Sequence, residues 1–388
     1  MSGIRWTQRI VGCLLIYAFI HCIVTIVDYR TVIERTVIPE KRESDGPLIK
    51  KDGDPKKGKS GSLKCVNIVR STGKKPILTK GPRSDKIEMH PPRNLTQKVP
   101  KMAESFLKAL ELAAEELRSK SPDFIYFNLI NHAYLNLTLN WLCNLAALSS
   151  KLHKKVLIVS FDKQSCVVIS KEWPDLKCVP MEVPSEYNRP LLWGHQNYIN
   201  LLTARAKLML FLVQLQIPYV LVESDAVWLR DPTDFFINQT LIDDADIIVP
   251  TKGYTTNGVY SFDPMIVYPT NGSLYLMEEI ERQLTSNPKL FDQDVLESLC
   301  RRQYQGVVCR LFEWTNVADG KWFKLSDHQR SGFIPYIINN NYYVGVTDKI
   351  SRQALNGFWF LTLKNSCSKS KSGNQLKKQL SKLRRKNK

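Results

Sequence analysis

From about residue 102 onward, the chain consists of two kinds of segment that differ in how apolar and polar residues are arranged. Short runs rich in Val, Ile and Leu are typical of strands that are buried on both faces of a sheet. Longer stretches with an apolar residue every three or four positions are typical of helices packed on such a sheet. The apolar runs are 124–130, 156–161, 177–183, 219–223 and 246–250, and the helical stretches are 102–120, 134–150 and 197–216. This alternation predicts an α/β fold with a doubly wound, mainly parallel sheet flanked by helices.

The run 219–223 differs from the others because it leads into two acidic residues, Glu223 and Asp225. Ligands of α/β sheets bind at the carboxyl ends of the strands. Side chains two apart in a continuing strand point the same way, so the two carboxylates are predicted to share one target. Carboxylate oxygens suit a hard divalent cation such as Mg²⁺ or Mn²⁺, which can hold a diphosphate. From the pair alone, solvated charge at a strand end is an equally good explanation.

The first hundred residues have a different composition. Residues 10–27 contain no Lys, Arg, Asp or Glu and are close to the minimum length that spans a bilayer. Because Arg5 and Arg9 precede them, we predict a type II signal anchor, with residues 1–9 cytoplasmic and the remainder luminal. A cleaved signal peptide is the competing interpretation. Residues 28–101, rich in Lys, Gly, Pro and Ser, predict a disordered luminal stem.

The net charge of +18 is concentrated outside the predicted globular domain. The stem, 28–101, contributes +10, and the tail, 364–388, contributes another +10 with no acidic residue. The domain between them, 102–363, carries a net charge of −4. A nucleic-acid-binding protein would carry its basic patch on the folded domain, so nucleic acid is not an expected partner. The tail is predicted to be a basic, disordered extension.

Sequons and cysteines agree with a luminal domain. N-x-Ser/Thr sequons accept glycans only in the secretory pathway, and they occur at Asn94, Asn136, Asn238 and Asn271. Seven cysteines follow the predicted anchor. In an oxidising compartment neighbouring cysteines form disulfides, and Cys300 with Cys309 and Cys166 with Cys178 are the candidate pairs. Spacing alone leaves the connectivity open.

Several motifs of common enzyme classes are absent from the sequence. No GxGxxG opens a helix after the first predicted strand and there is no Walker loop, which disfavours dinucleotide enzymes and P-loop NTPases. The chemistry-bearing blocks are instead acidic or rich in amides. They are the pair at 223 and 225, Asp292-Gln293-Asp294, and the segment 339–345 followed by Lys349.

The order of these blocks resembles the nucleotide-diphospho-sugar transferases of glycosyltransferase family 77, which include plant xylosyl- and arabinosyltransferases. The resemblance covers residues 124–363 and is most specific over 223–232, where acid-x-acid is followed by Trp-Leu-Arg-Asp-Pro. It implies a GT-A fold, a single-pass type II Golgi membrane protein, a nucleotide-sugar donor with UDP as the expected nucleotide, Mn²⁺ or Mg²⁺, and retention of the anomeric configuration.

The resemblance also implies metal ligands. Asp225 is expected to bind the metal, and Glu223 to act near the ribose or the metal. Asn339 stands where relatives often have a His ligand. Its amide oxygen can coordinate a hard cation, but more weakly than an anionic oxygen does. Asn341 is the alternative candidate for this ligand position. Asp263, followed by Pro, stands where relatives tend to have a glycine-rich turn on the acceptor side, so acceptor specificity is not predicted.

The remaining implied roles concern the donor. Asp292, Gln293 and Asp294 are expected beside the sugar, where an anion or amide stabilises an oxocarbenium-like transition state; a helix N-cap is the alternative explanation. The other expected donor-binding residues are Lys207, Lys349, Asn341 and Gly345. The two lysines would hold the diphosphate as point charges, although either one taken alone is better explained as a solvated lysine, because exposed lysines are common.

The sequence therefore predicts a luminal glycosyltransferase, anchored through its N-terminal helix, that acts on a glycan, glycoprotein or glycolipid acceptor. The alternative is a catalytically inactive GT-A domain that binds a glycan or a protein. A second alternative is a membrane-tethered structural protein whose basic stem and tail bind acidic polysaccharide. The transferred sugar, the linkage and the oligomeric state are not predicted.

Overall fold

The computed structural model describes residues 99–240, 245–253 and 258–385. The predicted cytoplasmic tail, the predicted anchor and nearly all of the predicted stem lie outside the described residues. Among the residues that are described, no helix is both long enough and apolar enough to cross a membrane.

The described part of the chain is built on a seven-stranded sheet. Its strands are β1 (Ile125–Ile130), β2 (Val156–Ser160), β3 (Lys177–Pro180), β4 (Tyr219–Leu221), β6 (Ile247–Pro250), β7 (Met265–Val267) and β8 (Cys309–Phe312). They lie in the order β3-β2-β1-β4-β7-β6-β8. Neighbouring strands are parallel except where β7 pairs with β4 and β6. The predicted α/β class and mainly parallel sheet are confirmed, whereas β7 and β8 were not predicted.

A smaller sheet contains β5 (Val227–Trp228), β9 (Val317–Ala318) and β10 (Ile337–Ile338), in the order β5-β10-β9. Each of these strands is only two residues long, so none produces a detectable period in the sequence. Trp228 is fully buried and contacts Tyr126 and Trp141 edge to face. The tryptophan of the most specific sequence block is therefore a core residue.

The helices cover both faces of the large sheet. They are α1 (Glu104–Lys120), α2 (Leu135–Leu148), α3 (Lys163–Glu172), α4 (Gln196–Gln214), α5 (Thr233–Thr240), α6 (Asn271–Ser286), α7 (Asp292–Arg301), α8 (Asp327–Gly332), α9 (Val346–Leu355) and α10 (Lys369–Arg385). Successive residues along β1 enter opposite cores: Ile125 and Phe127 pack in one, whereas Tyr126 and the preceding Phe124 pack in the other. Burial on both faces explains why the strands are continuous apolar runs.

The polypeptide turns after β4 instead of continuing as a strand. The strand ends at Leu221, and the backbone N–H of Ala226 donates to the carbonyl of Glu223 at 3.2 Å. The prediction that Glu223 and Asp225 leave a continuing strand in the same direction is therefore wrong. The turn sends the two carboxylates to different cations.

Three disulfides link the described cysteines: Cys166 with Cys178, Cys300 with Cys309, and Cys143 with Cys367. The first two pairs were the predicted ones. The third joins residues 224 positions apart in the sequence, a separation from which no pairing can be inferred. Cys65 lies outside the described residues.

The prediction of a disordered tail is wrong for Lys369–Arg385, which forms helix α10. This helix packs against α2. Leu376 is buried in the core, and Leu380 and Leu383 pack beside it. The side-chain amide of Gln375 donates to the carbonyls of Gly357 and Trp359, both at 2.9 Å. The leucines recur with helical period between the charged residues and form one apolar stripe. This stripe is enough to hold the segment on the domain.

The packing of α10 can be tested at Leu376, which is 2% exposed. Replacing Leu376 by Ala is expected to lower the free energy of unfolding by about 2–3 kcal/mol, because it removes buried methyl groups and leaves a cavity. Urea denaturation measures the change. The neighbouring exposed Lys377→Ala is the control and should change stability by less than about 0.5 kcal/mol. Equal stability of the two variants would contradict the docking of α10.

Candidate active site

A cleft opens at the carboxyl ends of β1 and β4, between these strands and helix α4. Its lining is mixed, with aliphatic side chains on the strands and polar side chains at the strand ends. The polar and aromatic residues that face it include Asn131, Tyr134, Tyr198, Arg205, Glu223 and Lys349. A cleft at this edge of a sheet is where ligands of α/β folds bind.

Arg205 connects two of the sequence blocks. Its guanidinium donates to Glu223 Oε1 at 2.7 Å and, through Nε, to Asp292 Oδ2 at 3.2 Å. It also lies over the ring of Phe262, 4.5 Å from the centroid. Arg205 and Asp292 are both buried. One buried cation therefore fixes the end of β4 relative to the start of α7.

Lys349 provides the second cation. Its ammonium contacts the carboxylate of Asp225, and both side chains are largely buried, with 13% and 3% of their surface exposed. The amide of Gln353, one turn later on α9, donates to the backbone carbonyl of Asp225 at 2.6 Å. Helix α9 thus holds the turn after β4 in place by a side-chain contact and a backbone contact.

Burial dominates the ionisation of these groups. Burial raises the pKa of Asp225 and that of Asp292, and the neighbouring cation, Lys349 or Arg205, opposes each shift. Burial alone would lower the pKa of Lys349, but Asp225 and other nearby groups raise it well above its ordinary value. Lys349 accordingly keeps its proton at neutral pH.

Asp263 is a fourth acid in the cluster and has no cation of its own. It is 8% exposed, and no hydrogen bond or ion pair to its carboxylate forms within the described part of the chain. Burial raises its pKa well above the ordinary range, and repulsion from Glu223 and Asp225 adds to the shift. The amide nitrogen of Asn339 donates to the backbone carbonyl of Asp263, whereas the amide oxygen of Asn339 is buried without a partner.

The Asp-Gln-Asp block forms the first turn of α7. The N-cap position belongs to Phe291, so Asp292 is not the cap residue itself, although its carboxylate binds one free N–H of the first turn. Asp292 accepts from Arg205 and from the backbone N–H of Gln293, the latter at 2.8 Å. Gln293 is half-buried and Asp294 is exposed. Only the first residue of the block joins the buried cluster.

Three predicted donor-binding residues have structural contacts. Lys207 lies on another face of α4 from Arg205, with its ammonium 3.5 Å from Glu281 of α6, so it does not join the cluster. The side chain of Asn341 accepts from the backbone of Gly320 at 2.7 Å. Gly345 precedes α9 with φ +98°, a conformation that favours glycine. Lys207 thus lies apart from the cluster and its donor role stays a prediction, whereas Asn341 and Gly345 shape the loop before Lys349.

The sequence of this domain matches a known protein family. The family model described as nucleotide-diphospho-sugar transferase covers residues 151–353, just over half of the chain. The chain belongs to this family. The matched region contains both cations and all four acids of the cluster.

Three proteins illustrate what this family member is similar to. UDP-D-xylose:L-fucose alpha-1,3-D-xylosyltransferase MGP4 of Arabidopsis thaliana is 24% identical over 251 residues, or 58% of this chain and 66% of that protein. The chain thus spans slightly less than two thirds of that relative. The glycosyltransferase GlyE of Streptococcus pneumoniae TIGR4 has 14% identity and a TM-score of 0.39, over 67% of this chain and 64% of GlyE. Mouse xyloside xylosyltransferase 1 has 12% identity and a TM-score of 0.37, over 57% and 99%.

The sequence of this family member did not reveal that Arg205 and Asp263 belong to the buried cluster. The signal for Arg205 was present, because Leu202 and Met209 share its helical face and are buried, so an arginine between them needs anionic partners. Asp263 gave no such signal. Its position next to Glu223 depends on the pairing of β7 with β4, which the sequence does not reveal.

Proposed function

We propose that this chain is a glycosyltransferase that moves a sugar from a nucleotide-diphosphate donor, with UDP as the nucleotide, to a glycan, glycoprotein or glycolipid acceptor. The observation that carries this proposal is the convergence of Arg205 and Lys349 with Glu223, Asp225 and Asp292 beside the cleft. These residues come from four separate segments of the matched family region. The plant relative named above acts on UDP-D-xylose, which makes that sugar the first donor to test.

Lys349 is placed to hold the diphosphate of the donor. Its ammonium is a compact charge at the edge of the cleft, and such a charge stabilises a departing diphosphate without transferring a proton. Contact with Asp225 keeps the ammonium in position before the donor binds. We expect the donor phosphates to take over part of this contact.

Asp292 and Gln293 are assigned to the donor sugar. Arg205 fixes Asp292, so its position relative to the end of β4 is determined before the sugar binds. Gln293, half-buried at the next position, has a side chain without a partner among the described residues. Groups that are already oriented stabilise positive charge at the anomeric carbon without reorganisation. Retention of configuration and a GT-A type of fold complete the proposal.

The residues present fit a divalent cation in part. In the described part of the chain, no three His, Cys, Asp or Glu side chains converge as a metal site. However, Asn339 has a buried amide oxygen without a partner, and its amide nitrogen is bound to the backbone of Asp263, one of the four acids that outnumber the two cations of the cluster. Asp225, Glu223 and Asn339 are the residues that would hold Mn²⁺ or Mg²⁺. A bound divalent ion would act as a Lewis acid on the donor diphosphate.

The cellular address is part of the proposal. We place the domain in the Golgi lumen, tethered by residues 10–27 as a type II anchor. Three disulfides in the described domain support an oxidising compartment, since disulfides are rare in the cytosol. The domain then meets nucleotide sugars and glycan acceptors in the same compartment.

A thermal-shift titration with UDP, UDP-xylose and other UDP-sugars, with and without Mn²⁺, tests the donor site. A ligand that binds only the folded state raises the melting temperature by mass action. At a ligand concentration of 100 times Kd, the free energy of unfolding rises by about 2.7 kcal/mol. We expect a shift with UDP and Mn²⁺ that EDTA removes. The absence of any shift with nucleotide or metal would overturn the proposal and favour an inactive domain that binds glycan or protein.

A further inference from the structure

Asp263 lies at the same edge of the sheet as the turn after β4, although forty residues separate it from Glu223. Strand β7 pairs antiparallel with β4, with Leu221 opposite Met265, so the residues just before β7 meet the residues just after β4. Phe262, the neighbour of Asp263, packs under the guanidinium of Arg205, 4.5 Å from the ring centroid, and that guanidinium donates to Glu223. The backbone therefore places the Asp263 carboxyl group next to the acidic turn.

Charge at this position is not balanced within the cluster. The acids are Glu223, Asp225, Asp263 and Asp292, whereas the cations in contact with them are Arg205 and Lys349. Arg205 already serves two acids, and Lys349 serves Asp225. Two negative charges remain in excess when all four acids are ionised. This excess equals the charge of one divalent cation.

A second, independent observation comes from Asn339. Its side chain is 2% exposed, and its amide nitrogen is fixed to the backbone carbonyl of Asp263. Its amide oxygen is buried and accepts no hydrogen bond. A buried carbonyl oxygen without a donor costs about 1–3 kcal/mol, so such an atom calls for a partner. Since neighbouring acids supply no proton donors when ionised, a cation is the partner that satisfies both this oxygen and the excess charge.

We propose that Asp263 supplies an anionic ligand to a divalent cation that Asp225 and the amide oxygen of Asn339 also bind. The inference rests on the proposed function, whose metal it takes as given, and adds a residue that the family resemblance does not assign. A carboxylate at 263 compensates for a neutral amide at 339, where relatives often have histidine. The strength of metal binding in this chain then depends on β7 as much as on the turn after β4.

The assignment is tested by measuring the affinity of the whole protein for Mn²⁺, with and without UDP. The decrease of the electron paramagnetic resonance signal of free Mn²⁺ reports how much of the metal is bound. Asp263→Asn keeps the shape of the side chain and removes its charge. We expect it to weaken Mn²⁺ binding at least tenfold. Asp234→Asn, which alters an exposed acid on α5 outside the cluster, is the matched control and should bind Mn²⁺ like the wild type.

A second measurement separates a metal ligand from a structural residue. Without metal, Asp263→Asn should raise the melting temperature, because it removes a buried acid whose ionisation is opposed by burial and by the neighbouring Glu223 and Asp225. A purely structural role would lower the melting temperature and leave Mn²⁺ affinity unchanged. We also expect Asn339→His, added to Asp263→Asn, to restore Mn²⁺ affinity, because imidazole is a stronger metal ligand than an amide.

The outcomes distinguish this inference from the proposed function. If Asp263→Asn binds Mn²⁺ as tightly as the wild type while both bind UDP, the assignment of Asp263 is wrong and the donor site stands. If the wild-type protein binds UDP but neither Mn²⁺ nor Mg²⁺, the metal site is refuted and the donor site again stands. If the wild-type protein binds neither metal nor UDP, the proposed function and this inference fail together.

Discussion

Replacing Arg205 by Met is expected to lower the free energy of unfolding by about 3–5 kcal/mol, the usual effect of removing one partner of a buried ion pair. The size of the effect follows from burial: Asp292 is 4% exposed, and Arg205 is the one cation that pairs with it among the described residues. The loss includes the guanidinium contact with Phe262. Urea denaturation at neutral pH measures it.

Lys207→Met is the matched control on the same helix. Lys207 is 34% exposed and pairs with Glu281 at 3.5 Å, and exposed pairs contribute about 0–1 kcal/mol. A loss from Arg205→Met no larger than that from Lys207→Met would show that Arg205 does not hold the cluster together.

The Arg205→Met defect should also depend on pH. Burial already raises the pKa of Asp292 above its unfolded value, and Arg205 opposes this shift. Without Arg205 the pKa rises further, so the destabilising carboxylate charge appears only as the pH rises through the new folded-state pKa. Below that pH Asp292 is protonated and the penalty disappears. We therefore expect the stability difference between the variant and the wild type to shrink as the pH is lowered from neutral toward 4.

The largest functional effect is expected at Asp225. Asp225→Asn should weaken Mn²⁺-dependent UDP binding at least a hundredfold, or about 2.7 kcal/mol. The substitution removes the anionic oxygen that we assign to the metal and releases the ammonium of Lys349 from its position. Isothermal titration calorimetry with UDP in the presence of Mn²⁺ measures the loss.

Folding must be separated from binding in this experiment. Asp225→Asn removes the carboxylate that pairs with the buried Lys349. Burial then lowers the pKa of Lys349 and favours its neutral amine form. The double variant Asp225→Asn, Lys349→Met avoids the unpaired charge and should fold more stably than the single variant while still failing to bind UDP. If the single variant folds and binds UDP with wild-type affinity, the assignment of the turn after β4 is wrong.

The main elements of the fold could be predicted from the sequence because they are long and strongly periodic. The apolar runs of β1, β2 and β4 and the amphipathic α1 and α4 each bury a complete face, and the structure has them within a few residues of the predicted bounds. The short strands β7 and β10 could not be predicted, because three or two residues define no period. The tail helix was missed because ten basic residues outweighed its leucine stripe in a judgement based on composition.

The site was predictable only where its residues are adjacent in sequence. Glu223 and Asp225 were identified from the strand that precedes them, and Lys349 from the family resemblance. Which acid meets which cation depends on a turn and on two helices packed from other parts of the chain. For that reason the sequence suggested a shared target for the two acids, whereas the structure gives each its own cation. Asp263 was noted in the sequence only for the turn it occupies in relatives, and its proximity to the other acids follows from the pairing of β7 with β4.

The bridge made by Arg205 constrains how this domain can evolve. Positions 205, 223 and 292 lie on α4, after β4 and on α7, yet a single guanidinium satisfies both carboxylates. A lineage that loses the arginine retains the buried Asp292 and the half-buried Glu223 without the cation they share, and one that loses Asp292 retains a buried arginine with one of its two carboxylate partners. The three positions are therefore expected to covary among homologues as one inherited unit, with neutral residues at all three as the stable substitute. Exchange of α7 alone between relatives would break that unit and yield poorly folded chimaeras.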